Sequence, residues 1–272
     1  MSTAALLRRG LAAVAMIAAV AAAHANTGER RVALVIGNST YKIGPLKNPT
    51  NDAQAVAASL RRLGFDVALR ENTTFRELTD SLRQFSTKAV DADVRLLFYA
   101  GHGVQVKGRN YLLPVNAEIA AEDEIAAKSA DLNDVLDRLG EAKKGLSIVI
   151  LDACRNNPFT GNDIVLPDGR RLRYRGMASN GLAKVEAPLG TFIAFSTAPG
   201  GVALDNPREK NSLYTKHLLA NIEADGLPIE QVFKRVRTGV AQETGRMQQP
   251  WESSSLTGAD FCFKADKGCS GR

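Results

Sequence analysis

The sequence predicts an α/β fold, a mainly parallel sheet with helices on both faces. Three observations carry that reading. Short runs that are almost wholly apolar recur along the chain: VALVI (32–36), VRLLFYA (94–100), LSIVIL (146–151) and TFIAF (191–195). Runs without polar alternation read as strands covered on both sides. Between them lie stretches with apolar residues at steps of three and four, the helical period, and strands alternating with helices build parallel sheets. The third observation is chemical. VRLLFYA leads into Gly101-His102-Gly103, and LSIVIL leads into Asp152-Ala153-Cys154. Loops beyond the C-terminal ends of parallel strands face a common crevice, where such folds place their ligands. A thiol and an imidazole are therefore expected to meet there.

The elements follow in order. Strand Val32–Ile36 gives way to a loop, Gly37–Pro49. A helix over Asn51–Leu63 is expected to start at a Thr50 cap and to stop at Gly64. Strand Phe65–Leu69 comes next. Helix Phe75–Ala89 has Thr74 as its cap and carries Leu78, Leu82 and Phe85 at helical spacing. Strand Val94–Tyr99 delivers His102, and Val104–Pro114 reads as a hairpin around Lys107-Gly108. Helix Leu132–Ala142 follows Asp131 and stops near Gly145. Strand Ser147–Leu151 delivers Cys154. Residues Arg155–Pro188 are rich in Gly, Asn and Arg and show no clear period. A connection that long in a compact domain is usually functional or disordered. Strand Thr191–Phe195 resumes the sheet, helices Ser212–Ala224 and Pro228–Glu243 follow, and a last short strand is expected near Ala259–Phe263. There is no internal repeat and no sign of a second domain.

A hydrophobic content of 44% with 24% charged residues is that of one globular domain. The N-terminus differs. Arg8-Arg9 precede the apolar stretch Leu11–Ala23, and Ala23-His24-Ala25 fits a small-x-small cleavage site. Residues 1–25 thus read as a secretory signal peptide, which places the mature protein in the periplasm or outside the cell. Its apolar core is shorter than the roughly 20 residues that span a bilayer, so no stable membrane insertion is expected after cleavage. Cleavage lowers the formal net charge of +6 by two. That mild balance, without a long basic run, gives no indication of nucleic-acid binding. Of three cysteines, Cys262 and Cys269 lie seven apart, and an oxidising compartment favours a disulfide between them. The alternative is three free thiols.

The site residues read as follows. A histidine between two glycines is presented by a tight turn, since glycine admits close backbone approach. Cys154 follows a buried-looking strand, but the polar Arg155-Asn156-Asn157-Pro158 behind it takes the chain out of the core. A thiolate needs a base or a lowered pKa, and His102 can take the thiol proton and return it to a leaving amine. Asp152 lies two residues before Cys154, on the same side of an extended strand. Asp52 sits in the first turn of a helix, where it either serves the dipole or joins the site. His217 is mid-helix beside Lys216 and reads as a surface or packed residue. Glu122-Asp123-Glu124 reads as a solvated acidic loop, and no metal site or cofactor is expected. Trp251 reads as a core or cleft residue.

The motifs RVALVIGN (31–38), TNDA (50–53), FYAGHG (98–103), NYLLPV (110–115), VILDACRNNPF (149–159) and FSTAPG (195–200) together resemble the caspase and metacaspase superfamily, in particular the bacterial caspase-like domains of peptidase family C14. The 52 residues from His102 to Cys154 are close to the roughly 50 of caspases. The resemblance covers residues 31–263, leaving 264–272 as a tail. It implies a three-layer sandwich around a six-stranded sheet whose last strand is antiparallel. It also implies a cysteine endopeptidase acting on proteins or peptides through a dyad of His102 and Cys154, with no third residue and no cofactor. The amides of Gly103 and Cys154 would form the oxyanion hole. Asp152 stands where caspases have glutamine, as in metacaspases. With Asp52 it would line a pocket for a basic P1 side chain, arginine or lysine. Ser196 and its neighbours would sit beside the cleft and present backbone to the peptide. Asn156 departs from the glycine of the caspase motif, in a loop that forms part of the cleft. Asp168–Met177, with Arg170, Arg171, Arg173 and Arg175, is either a solvated basic linker or an autoprocessing loop. The calcium aspartate that metacaspases carry a few residues after the nucleophile has no counterpart, so no calcium requirement is expected. The resemblance points to a monomer. The competing reading is a non-catalytic caspase-like binding or scaffold protein, which usually lacks the His or the Cys. A redox role is weak, because Cys154 has no C-x-x-C partner.

Overall fold

The computed structural model describes residues 28–42, 44–119, 122–142, 144–154, 163–165, 171–174, 185–199, 201, 203–206, 208–265 and 269. For 122, 154, 163–165, 171–174 and 205 it describes the backbone alone. The signal peptide read over residues 1–25, Arg170, Arg175 and most of the 264–272 tail lie outside the described residues. The chain starts with β1 (Arg31–Gly37), α1 (Pro49–Arg62), β2 (Asp66–Glu71), α2 (Phe75–Ala89), β3 (Val94–Val106) and β4 (Arg109–Leu112). It continues with α3 (Ile125–Lys128), β5 (Ala130–Asp131), α4 (Leu132–Gly140), β6 (Leu146–Cys154), β7 (Asp163–Val165) and β8 (Arg171–Tyr174). It ends with β9 (Thr191–Phe195), β10 (Leu204–Asp205), α5 (Leu213–Asn221), α6 (Ile229–Glu243) and β11 (Trp251–Ser254).

The main sheet has eight strands, two more than expected: along the path β11-β9-β6-β3-β1-β2 all pairs are parallel except β11 with β9, and β4 and β5 extend β3 by antiparallel pairs. Alternate residues of each strand enter opposite cores, as the period of two requires. Val35, Phe98, Ile148 and Ile150 face α1, α5 and α6, meeting Val56, Leu60, Leu218 and Phe233. Leu34, Leu97, Val149 and Leu151 face α2 and α4, meeting Leu82, Phe85, Leu132 and Leu136. Full burial of each such side chain is worth about 1.5–3 kcal/mol, so the layers hold both faces of the sheet. This is the three-layer caspase-like sandwich, and the antiparallel last strand is at its edge.

Local signals explain most boundaries. Thr74 and Glu77 form a reciprocal capping box on α2. Asp131 accepts the Asn133 N–H at 2.9 Å to cap α4, and Ser212 accepts the Thr215 N–H at 3.0 Å to cap α5. The turn from β3 to β4 has Lys107 at φ 49° and Gly108 at φ 80°. Two left-handed residues make the type I′ turn whose twist suits a hairpin.

Four expectations need correcting. The cap of α1 is Asn48, with Pro49 in the first turn and Thr50 already helical. Proline suits that first turn because its fixed φ is helical and its missing N–H is not needed there. The last sheet strand is β11, not Ala259–Phe263; Phe261 and Phe263 pack into the core, and Cys262 makes only an isolated bridge to Pro228. An edge strand exposed on one side needs no apolar run, which is why Trp-Glu-Ser-Ser escaped notice. Trp251 lies there 44% exposed, so it does not fill the core; its backbone pairs with Phe195 at the end of β9. Finally, the segment 155–188 is not wholly irregular: β7 and β8 pair with β10 in a small antiparallel sheet, β8 in the middle. Cys262 and Cys269 are joined by a disulfide.

Candidate active site

Strands β3 and β6 keep parallel register from Val94↔Leu146 through to His102↔Cys154. The two residues are thus direct partners at the last register step between adjacent central strands; Cys154 ends β6, while β3 continues to Val106. Neighbouring strands lie about 4.8 Å apart, so the backbones of His102 and Cys154 are one strand spacing from each other.

His102 is 2% exposed. Its Nε2 lies 2.7 Å from the carbonyl oxygen of Gly44. A carbonyl only accepts, so this contact places the ring proton on Nε2 and leaves Nδ1 as the basic nitrogen of the neutral imidazole. The Tyr41 ring packs on the imidazole, centroids 4.4 Å apart and planes tilted by 52°. A backbone carbonyl and an aromatic ring thus help to orient the histidine. Gly101 has no room for a side chain, since a Cβ there would sit 2.5 Å from Tyr41 Oη and 2.8 Å from Tyr99 Oη. Leu113 N–H donates to the His102 carbonyl at 3.0 Å. Antiparallel ladders alternate bonded and non-bonded pairs. Gly103, paired with Leu112, is therefore at a non-bonded position and its N–H points away from β4.

The two aspartates read as pocket residues are both buried, Asp52 at 1% and Asp152 at 5% exposure. They converge on the start of α5. Asp52 Oδ1 accepts from Asn211 Nδ2 at 2.8 Å and from the Ser212 N–H at 3.0 Å. Asp152 Oδ2 accepts from the Ser212 hydroxyl and from Thr215 Oγ1 at 2.9 Å. Ser212 therefore couples the two carboxylates, through its backbone to one and its side chain to the other. Tyr214 is buried close by, and its phenol is held well above the usual range, first by burial and then by the Asp152 charge. Ser196 lies one step beyond the Leu151↔Phe195 register pair, hence beside Asp152. Its N–H donates to Leu151 O at 2.9 Å and its carbonyl accepts from Gln248 Nε2 at 2.8 Å. The fold already uses its backbone, so what Ser196 offers is a buried hydroxyl, which has no partner among the described residues.

The wall over this region is tied down by Asn48. Its Nδ2 donates to the carbonyls of Asn206, Glu209 and Lys210, and its Oδ1 accepts the Asn206 N–H at 3.1 Å. His217 is elsewhere: it packs against Gly239 of α6 and its Nε2 is 2.8 Å from Glu243 Oε2. It is a packed residue, one of the two readings its sequence context allowed. Among the described residues no cluster of His, Cys, Asp and Glu could hold a metal ion, and no helix is long and apolar enough to cross a membrane.

The sequence reading missed Gly44, Tyr41 and Ser212. A carbonyl from any residue type could orient the histidine, so Gly44 carried no signal. Tyr41 lies just past RVALVIGN, in a loop whose path a sequence does not reveal.

The model of the caspase domain of peptidase family C14 matches residues 30–261. This chain belongs to the caspase-domain family. Curated relatives agree. The chain is similar to human mucosa-associated lymphoid tissue lymphoma translocation protein 1, 32% identical over 143 residues, covering 52% of this chain and 17% of that protein. It is similar to rat caspase-1, 26% identical over 248 residues, covering 86% of this chain and 59% of that protein. Mouse caspase-1 is 25% identical over 82% of this chain and 57% of its own length. The chain thus spans less than two thirds of each of these relatives, and only 17% of the first. Caspase-domain membership makes it a member of a cysteine-peptidase family.

Proposed function

We propose that this caspase-domain protein is an exported cysteine endopeptidase that cleaves proteins or peptides after basic residues, arginine and also lysine. The observation that carries the reading is the His102↔Cys154 register pair at the sheet's C-terminal end. His102 accepts the Cys154 thiol proton and the thiolate attacks the scissile carbonyl carbon. The oxyanion is held by the amides of Gly103 and Cys154. As the C–N bond breaks, His102 gives its proton to the departing amine. Water, deprotonated by His102, then hydrolyses the thioester and frees the acid product.

The pair of buried carboxylates supports the specificity. Asp152 is two residues from the nucleophile, and Asp52 joins it through Ser212. Two anions suit a guanidinium or an ammonium through charge-assisted hydrogen bonds and repel an aspartate. The Cys262–Cys269 bond supports export, since such bonds persist in oxidising compartments. The protein works as a monomer and without calcium on this reading. Autoprocessing after Arg171 or Arg173 would require the small sheet to open, because β8 is paired on both sides.

The test is hydrolysis of fluorogenic peptides with P1 Arg, Lys or Asp by the wild type and by Cys154→Ala. Turnover of the Arg and Lys peptides, lost in the variant, is the expected result. Turnover of the Asp peptide would overturn the pocket assignment. No turnover of any peptide would turn the reading towards a binding or scaffold protein.

A further inference from the structure

The backbone of His102 is held in an unusual way for a strand residue. Its N–H donates to Tyr41 Oη at 2.9 Å. Its carbonyl accepts from Tyr99 Oη at 2.8 Å, besides the ladder bond from Leu113 N–H. The two phenol oxygens lie 3.2 Å apart. Both phenols also reach the Leu113 carbonyl, Tyr41 at 3.1 Å and Tyr99 at 2.9 Å, and Asn38 Nδ2 donates to the same oxygen at 3.1 Å. Asn38 Oδ1 is in turn fixed by the N–H and hydroxyl of Thr73. Every partner is buried: Asn38, Thr73 and Tyr99 are at most 2% exposed, and Tyr41 is 7%.

The proton count of this cluster is informative. Two phenol protons serve two carbonyls, while the Tyr41 oxygen receives the His102 N–H. Such a network leaves each of these buried groups satisfied, and satisfied buried networks are rigid. Burial, with Tyr41 next to it, also holds the Tyr99 phenol well above the usual range, which keeps it a donor. Tyr41 acts twice, since its ring also packs on the imidazole. Gly101 completes the arrangement by leaving the space that both hydroxyls occupy.

We propose that Tyr41 and Tyr99 are positioning residues for His102, a pair of phenols that grips the peptide units on both sides of the catalytic imidazole. The proposal rests on the peptidase reading above. Its physical basis is that misplacing a reacting group by about 1 Å costs on the order of 100-fold in rate. Tyr41→Phe keeps the ring and removes one grip; Tyr99→Phe removes the other.

The experiment has two arms. In the first, kcat and KM for a P1-Arg fluorogenic peptide are measured for the wild type, Tyr41→Phe and Tyr99→Phe. Rates are normalised to the sites that a thiol alkylator titrates in folded protein. The expected result is a kcat lower by roughly 10- to 100-fold with KM changed less than about threefold. A general loss of stability would lower the number of titrated sites and leave kcat per site unchanged. In the second arm, the His102 imidazole is titrated by NMR in the Cys154→Ala protein, with and without Tyr41→Phe. His102→Ala assigns the signal. The phenylalanine variant is expected to shift and broaden that resonance at every pH. This arm needs no peptidase activity, so it separates failure of the positioning role from failure of the peptidase reading. Wild-type kcat per site in both phenylalanine variants, or an unchanged His102 resonance, would overturn the proposal.

Discussion

Replacing Asp152 with asparagine removes a charge from the proposed P1 pocket while keeping the shape of the side chain. Asp152 Oδ2 already accepts two hydroxyl groups, Ser212 Oγ and Thr215 Oγ1. An asparagine carbonyl oxygen can accept the same two, so the start of α5 keeps its partners. What changes is the other half of the group, where an NH₂ donor replaces an anionic oxygen. A P1 guanidinium would then meet a donor instead of an acceptor. A hydrogen bond to a charged group is worth about 1.5–3 kcal/mol net, and each 1.4 kcal/mol is about tenfold. The expected loss in kcat/KM for a P1-Arg peptide is therefore about 10- to 100-fold. A P1-Gln peptide, which carries no charge, should change by less than about threefold on the same argument. The assay is a pair of steady-state curves for each enzyme, with active sites counted by alkylation of Cys154. An equal fall for both peptides would mean that Asp152 acts on the nucleophile and not on P1. No fall for the arginine peptide would remove Asp152 from the pocket altogether.

Other outcomes follow from the same structure. Gly101→Ala drives a methyl into Tyr41 Oη and Tyr99 Oη; overpacking of this kind costs about 1–3 kcal/mol, and urea unfolding should show it together with a loss of kcat. Tyr99 and Tyr214 have phenols held well above their usual value of 10.0. A raised folded pKa gives stability that is whole below pH 10 and is lost as pH rises through the folded pKa. Tyrosinate absorbance should therefore climb in a cooperative step with alkaline unfolding, and Tyr214→Phe should shrink that step. Peptide turnover should be unaffected by a calcium chelator, and activity abolished by chelation and restored by calcium would refute this.

What the sequence made legible was whatever depends on neighbours along the chain. The apolar runs at Val94 and Leu146 identified central strands because their burial on both faces leaves no room for polar alternation. Thr74 announced a helix start because a cap acts within one turn; the structure adds Glu77, which completes a capping box with it. Thr50 misled for the opposite reason. Three residues of the chain, Asn48, Pro49 and Thr50, all suit a helix start, and the choice fell to Asn48, whose side chain is held by carbonyls some 160 residues away. Edge strand β11 escaped because its residues need only one buried side. His102 and Cys154 were legible because each follows an apolar run, so their meeting needed only the parallel register that the topology supplies. Gly44, Tyr41 and Ser212 were not. They meet His102 and Asp152 across 58, 61 and 60 residues of sequence. Nothing local distinguishes them from other loop residues.

That division has a physical origin. The sheet brings the reactive pair together by backbone register, which tolerates many sequences as long as both strands stay buried. It cannot by itself aim an imidazole, because the ladder stops where the strands separate. At His102, past the end of the β1 pairing, the bonds come from Leu113 N–H and from the Tyr41 and Tyr99 hydroxyls on the peptide, with the Gly44 carbonyl on the ring. Near Cys154, where the β9 register ends at Phe195, Ser212 and Thr215 hold the Asp152 carboxylate. In both places buried side chains of small reach fix the groups at the end of the ladder. Buried hydrogen bonds that must all be satisfied leave few alternative positions. The chemistry therefore sits at the boundary between ladder and side-chain network. A variant that cuts a network bond there should disturb rate or specificity before it disturbs the fold.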